Sequence, residues 1–442
     1  MQKSADPRLQ IVIDKLAARG RLDAADGLAM FETHDVVGLG RLANAEKERR
    51  TGPFVAFVLN RQINPTNVCV LSCRFCDFAT KLGDENAYEM TLERIRERVS
   101  EPIREVHVVG GMHPDWPFER YTDVLDVIRA ANPTAQIKAY TAVEIDWFAH
   151  LEKISVDEVF ERLESHGMQA MPGGGAEVFS ERVREIMYKE KIGHQRWLEI
   201  HEIAHKRGLR TNATLLYGHV ETYEERVNHM LILREMQDRT GGFLSFIPLA
   251  FQPGYTNIVA RQVSAIEDLR TIAVSRLMLD NFPHIKAYWV MLGEETASMA
   301  LQWGADDLDG TIGEELIAHA ALASSPAGMT TQKLVKLIRE AGRLPVQRDA
   351  LYNVVGVYPV PDADTHWSQR HGMPGVDPIS RRGRVADARA LDVEQFGLHT
   401  WDLVTEAGAE VRRLAATMVP DVPETARWLP EGGATVAVEG MA

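Results

Sequence analysis

The chain's only three cysteines fall close together, as Cys69, Cys73 and Cys76 in NPTNVCVLSCRFCDFA, a C-x3-C-x2-C spacing. A disulfide framework would be even in number and spread along the chain, so this is a short-range ligand cluster in a reducing compartment. Three thiolates this close can hold three corners of a cubane iron–sulfur cluster. An electron-transfer cubane takes four Cys. With no fourth in the chain, one iron would stay open to a small ligand, and the site would suit chemistry as well as electron storage. The competing reading is zinc held by the three Cys and one His; the nearest His after the loop is His107.

Other candidates stand at the ends of apolar runs. VVGGMHPD (108–115) puts Gly110 and Gly111 after a strand pattern, where glycine permits close backbone approach, and His113 just beyond. Glu144 ends the run at 136–143, and Glu177 follows the triple glycine 173–175. His219 and Glu221 end the run 210–218, and Gln252 ends the run 243–251. Asp306, Asp307 and Asp309 crowd a late segment. Each of these, taken alone, is equally compatible with a helix cap or a packed polar residue.

The elements that must position them alternate. Apolar β-type runs occur at 55–59, 105–111, 136–143, 210–218, 243–251 and 285–292, with weaker ones at 168–174 and 300–303. Helical patterns lie between them, such as Tyr121, Val124, Leu125 and Ile128. Capping pairs open several: Ser155 with Glu158, Thr222 with Glu225, Ser264 with Glu267. Near-continuous apolar strands alternating with helices predict an α/β fold, a parallel βα barrel of the TIM type, complete or nearly so. An open doubly wound sheet is disfavoured because no G-x-G-x-x-G follows a strand. Active sites of such barrels gather past the strand ends, where the cysteine loop falls.

Three regions are expected: a helical N-terminal segment (1–50), the barrel (51–345) and a C-terminal extension (346–442). The texture loosens from about Tyr358 into Pro, Gly and Asp, with one amphipathic stretch at 403–418. The net charge of −14 and scattered basic residues argue against a nucleic-acid partner. No apolar run is long enough for a membrane span, and the charged N-terminus lacks a secretory apolar core. A cytoplasmic location is the expectation.

C-x3-C-x-aromatic-C, with Phe75 as the aromatic, resembles the signature of radical S-adenosylmethionine enzymes. The resemblance implies a 4Fe-4S cluster on Cys69, Cys73 and Cys76, with S-adenosylmethionine chelating the open iron. It implies cofactor contacts from Phe75, Gly110, Gly111 and Glu177. Many members have an acid where this chain has Met112 and His113, so the likeness at that turn covers the glycines alone.

IKAYTAVEI (137–145), MPGGGAEVF (171–179), TNATLLYGHVET (211–222) and WGADDLDGTIGEE (303–315) narrow the resemblance to the aminofutalosine synthase family of menaquinone biosynthesis. Its relatives are the dehypoxanthine futalosine cyclase and the deazaflavin cofactor synthases, in which the radical abstracts hydrogen. The family implies addition of the 5′-deoxyadenosyl radical to 3-((1-carboxyvinyl)oxy)benzoate, with aryl migration, loss of CO2 and return of an electron, giving 6-amino-6-deoxyfutalosine. It also implies a flavodoxin or ferredoxin as electron donor. His113, Glu144 and His219 are the residues expected to act on the substrate.

Overall fold

A computed structural model describes residues 4–358 of the 442. The amphipathic stretch at 403–418 lies outside the described residues. The strands are β1 (Phe54–Val58), β2 (Asn60–Ile63), β3 (Glu105–Val108), β4 (Gln136–Ala139), β5 (Met168–Met171), β6 (Arg210–Tyr217), β7 (Phe243–Ala250), β8 (His284–Ile285), β9 (Asp307–Gly310), β10 (Leu344–Arg348) and β11 (Val354–Val357). β2 to β8 form one sheet in sequence order, parallel at every pair. Helices connect most of these strands, and the sheet curls into a partial TIM-type barrel. β1 and β2 are halves of one run broken at Leu59, and β1 pairs with β9. Asp306 N donates to Ile285 O at 3.0 Å and Ala287 N to Asp307 O at 2.8 Å, which carries the ring from β8 through β9 back to β1.

The strands are buried on both faces, so their alternation separates two interiors. Thr214 and Leu216 of β6, and Ile247 and Leu249 of β7, line the barrel cavity. Ala213, Leu215, Tyr217 and Phe246, one residue out of step, join the hydrophobic core beneath the helices. On the helix Phe118–Ala131 the expected stripe of Tyr121, Val124, Leu125 and Ile128 is buried. Ser155, Thr222 and Ser264 are N-caps whose side chains accept from the N–H three residues on. Such a cap stabilises a helix by about 1 kcal/mol.

The N-terminal segment folds as the helices Pro7–Ala17, Ala24–Glu32 and Val36–Thr51. It is pinned to the barrel's outer helices: Arg270 donates to the carbonyls of Met30, Phe31 and Thr33, and Arg234 to those of Leu22 and Met278.

Three expectations change. The run 285–292 is strand only at its start; Trp289–Leu292 is a short helix whose Trp289 Nε1 donates to Gly310 O at 3.0 Å. Apart from Lys286 the run is apolar, and such a run carries no period that separates strand from buried helix. The run 300–303 closes the helix Glu294–Ala300, and the last strand of the ring is instead the acidic β9. Finally, the boundary at 345/346 falls inside β10, which pairs with β1 along its whole length and with β11 beyond.

β9 and β10 are held by buried charge. Asp306 accepts from Arg276 at 2.7 Å and lies 2.9 Å from His284 Nδ1. Arg348 of β10 donates to Asp307 at 2.6 Å and lies 3.5 Å from Glu105 of β3. Removing one partner of such a pair strands the other charge in the interior. Arg348→Met is therefore expected to destabilise the protein by about 3–5 kcal/mol. Urea unfolding at unchanged m-value measures it, and a loss below about 1 kcal/mol would contradict this account.

Candidate active site

A cavity of about 310 Å³ opens at the strand ends and reaches down into the barrel. Cys69, Cys73 and Cys76 all line it, together with Phe75, Gly110, the triple glycine, Glu144, Glu177 and Lys191. None of the thiols is in a disulfide.

The loop that presents them is braced from all sides. Cys69 N donates to Thr80 O at 3.0 Å, Val70 N to Met112 O at 2.9 Å, and Arg74 N to Met187 O at 2.8 Å. Lys81 Nζ reaches back to the carbonyls of Cys69, Val70 and Leu71 at 2.9–3.0 Å, gathering three acceptors onto one ammonium. Burial pushes the Cys73 thiol up to about 11, against the opposing charge of Lys191. Burial raises Cys76 as well. Ionising these thiols therefore calls for a cationic partner, bound or built in.

The built-in one is Lys191. It is ion-paired with Glu177, and its ammonium lies 5.2 Å from the Phe75 ring centroid and 5.9 Å from that of Tyr188. Burial alone would pull this ammonium down. Glu177, then the charges of Cys73 and Cys76, outweigh burial and hold it above its ordinary value. Glu177 adopts a left-handed φ of 44°, a conformation unusual without glycine.

The glycines are there for contact. A Cβ on Gly111 would lie 2.1 Å from Val68 O, inside the cysteine loop, and one on Gly173 would lie 2.5 Å from Asn212 O. At Gly110 the backbone N–H donates to Glu144 Oε1 at 3.1 Å. Glu144 is the third residue of the helix Ala142–Glu152, and its other oxygen accepts from Thr141 N at 2.7 Å in a capping box. This carboxyl thus ties the glycine turn to the next helix. Burial raises it to about 7, against the bonds from Thr141 and Gly110.

Two residues expected to act on the substrate do not reach the cavity. His113 is buried against Trp116, accepts from Asp115 N through Nδ1, and faces Glu89 through Nε2 at 3.2 Å. His219 accepts from Val220 N at 2.7 Å through Nδ1 and contacts Leu216 O at 3.0 Å through Nε2. Both rings are consumed by the turns that follow their strands. Glu221 likewise binds the N–H groups of Gly218 and His219 and pairs with Arg226. Gln252 and Asp309 do line the cavity, whereas Asp306 and Asp307 face buried cations instead.

Sequence reasoning passed over Lys138, Lys191, Asn60, Gln62 and Asn212, all cavity-lining. The available signal was a charged or amide residue inside an apolar strand, as in IKAY and TNATLL.

The thiols suit a cluster better than a lone ion. Among the described residues no three Cys, His, Asp or Glu gather tightly enough to cage one metal. Zinc needs its sulfurs about 2.3 Å from one point. A cubane spreads its thiolates over separate corners, which three thiols along one cavity can serve.

A βα barrel with these thiols at its strand ends defines an enzyme of the radical S-adenosylmethionine class, and that superfamily's profile matches residues 63–233. The profile described as the CofH/MqnC C-terminal region matches residues 240–359. The aminodeoxyfutalosine synthase of Thermus thermophilus is 44% identical over 81% of this chain and 99% of its own length. That of Streptomyces coelicolor is 40% identical over 79% and 94%. The cyclic dehypoxanthine futalosine synthase of S. coelicolor is 36% identical over 86% and 94%. Among solved structures, the [FeFe]-hydrogenase maturase HydG shares the fold at TM-score 0.62 and 15% identity, over 78% of this chain and 77% of HydG. The chain belongs to the branch of the radical S-adenosylmethionine superfamily that contains the aminodeoxyfutalosine synthases and their futalosine-cyclising relatives.

Glu144 gives the site a pH signature. Its folded value near 7 lies above the ordinary 4.5. Between those values the folded state keeps a proton that the unfolded chain has lost. Glu144's contribution to stability is therefore greatest below pH 4.5, falls as pH rises, and levels off above 7. The span of the shift corresponds to about 3 kcal/mol. Glu144→Gln, which keeps a carbonyl for Gly110, is expected to remove this slope. Urea unfolding of cluster-free protein from pH 5 to 8 tests it, and parallel slopes in the two proteins would contradict it.

Proposed function

We propose that this chain is an aminodeoxyfutalosine synthase, joining the adenosyl group of S-adenosylmethionine to 3-((1-carboxyvinyl)oxy)benzoate. The observation that carries this is one cavity with two unlike ends. Three thiols and a glycine turn lie at the mouth, and a donor-rich floor lies inside the barrel. The identities of 44% and 40% to two enzymes of that name support it.

When bound, a reduced 4Fe-4S cluster and S-adenosylmethionine supply a 5′-deoxyadenosyl radical. The chain's own residues do the placing. Cys69, Cys73 and Cys76 hold the cluster, and the Lys81 clamp keeps their loop in register. Gly110 and Gly111 let the backbone approach the methionine ammonium, with Glu144 fixing the turn. Phe75 and the Lys191–Glu177 pair form the adjoining wall, where a fixed cation favours the methionine carboxylate. His113 and His219 act as positioning residues through the turns they hold. Leu216, Ile247, Leu249 and Phe251 line the cavity with apolar surface that excludes water from a carbon radical. A flavodoxin or ferredoxin in the cytoplasm supplies the electron.

The test is anaerobic reconstitution followed by dithionite, S-adenosylmethionine and the enol-ether benzoate, with mass analysis. An adenosine adduct is expected in proportion to methionine, with little free 5′-deoxyadenosine. If the cavity holds the alkene within about 3–3.5 Å of the radical carbon, addition outruns hydrogen abstraction. Cys69→Ala, Cys73→Ala and Cys76→Ala should each lose the cluster absorbance and all turnover. Stoichiometric 5′-deoxyadenosine with no adduct would instead favour the hydrogen-abstracting chemistry of the cyclising relatives.

A further inference from the structure

Below the glycine turn the cavity is lined by a row of polar side chains whose donors exceed their acceptors. Gln62, His107 and Lys138 are register neighbours on β2, β3 and β4, and all three line the cavity. His107 Nε2 is buried with no hydrogen-bond partner. Burial, then the Lys138 charge, pushes this imidazole down to about 3, so it is neutral. The charged groups around it are Lys138 and Lys286 on one side of the balance and Glu105 and Asp309 on the other.

Lys138 donates to Glu105 Oε1 at 2.5 Å, one bond from an ammonium with three N–H groups. Asn212 Oδ1 accepts from Ser245 Oγ at 3.0 Å, and its amide nitrogen has no partner among the described residues. An imidazole, an ammonium and an amide thus point to an occupant that accepts hydrogen bonds. A carboxylate answers this best, because its two oxygens accept several charge-assisted bonds at once. Ile247 and Leu249, also lining the cavity, offer apolar surface to whatever carries it. His107 lies three residues before Gly110 on the same run, so the floor is about 10 Å below the turn, room for a ring between the two.

We propose that His107, Lys138 and Asn212 form a subsite for the carboxylate of an aromatic acid, with the ring held between this floor and the strand ends. This deepens the function proposed above, in which the benzoate carboxylate of the substrate would occupy it. His107 is the specificity-determining member: its Nε2 is the buried group that finds no partner among the described residues.

The test uses full-length, cluster-loaded protein with S-adenosylmethionine present, and benzoate and benzamide as probes in calorimetric titrations. Benzoate is expected to bind at least about tenfold tighter than benzamide, the difference a charge-assisted subsite confers. His107→Phe should weaken benzoate by about tenfold or more and change benzamide by less than about threefold. Retained cluster absorbance and S-adenosylmethionine affinity show that the variant is folded. Asn212→Leu is the second variant, expected to act in the same direction. The comparison of the two probes on unmutated protein stands without any variant. Equal affinities for benzoate and benzamide, or a His107→Phe protein that binds benzoate as before, would overturn the subsite. Product analysis separates this from the proposed function. A benzoate preference without adenosine adduct supports the subsite while the synthase reading fails. Adduct formation without a benzoate preference does the reverse.

Discussion

Three buried cations and three buried anions must neutralise one another at the base of this barrel. Lys138, Lys286 and Arg348 face Glu105, Asp309 and Asp307. They come from β3 and β4, the segment after β8, β9 and β10. The pairs therefore join the early strands to the late ones across the barrel interior. Burial works against every one of these charges. Proximity wins for Glu105 and Asp309, whose carboxyls are held below their ordinary range by Lys138 and Lys286 in turn. Such a set is strongly destabilising to break and contributes little net stability when whole. Its value lies in register. β9 has few apolar side chains to hold it, and its place in the ring is specified by which carboxylate meets which cation.

The same logic, with fewer charges, governs the mouth. Lys191 answers Glu177 and the thiols, and Lys81 gathers the carbonyls of the cysteine loop. The loop has almost no regular structure, so its shape rests on these contacts and on the glycine at 111, where any side chain would collide with Val68 O. Two lysines therefore do different work around the cysteine loop. One sets the field inside the cavity, and the other sets the backbone outside it.

Much of the barrel was legible because parallel strands covered by helices are written as apolar runs. The capping residues Ser155, Thr222 and Ser264 mark their helices directly. Much of what the sequence hid has one cause: the side chains that matter are polar residues satisfied by partners far away in the chain. Asp307 needs Arg348 and Glu105 needs Lys138, and no local pattern announces either. Thus β9 shows in the sequence only as crowded aspartates, and Lys138 carries no mark of its partner inside its apolar run. The histidines misled in the opposite way. His113 and His219 follow strand ends, as catalytic residues do, but each closes its own turn. Position along a strand could be read, whereas the direction of a side chain could not.

Between the two charge systems part of the cavity wall is apolar. Leu216, Ile247 and Leu249 line it, reached by every second residue of β6 and β7. That arrangement follows from strand geometry: alternation sends Ala213, Leu215 and Phe246 outward to the helices and leaves their neighbours inward. A ligand with a polar group at each end and a flat apolar body would meet matching surface along its length.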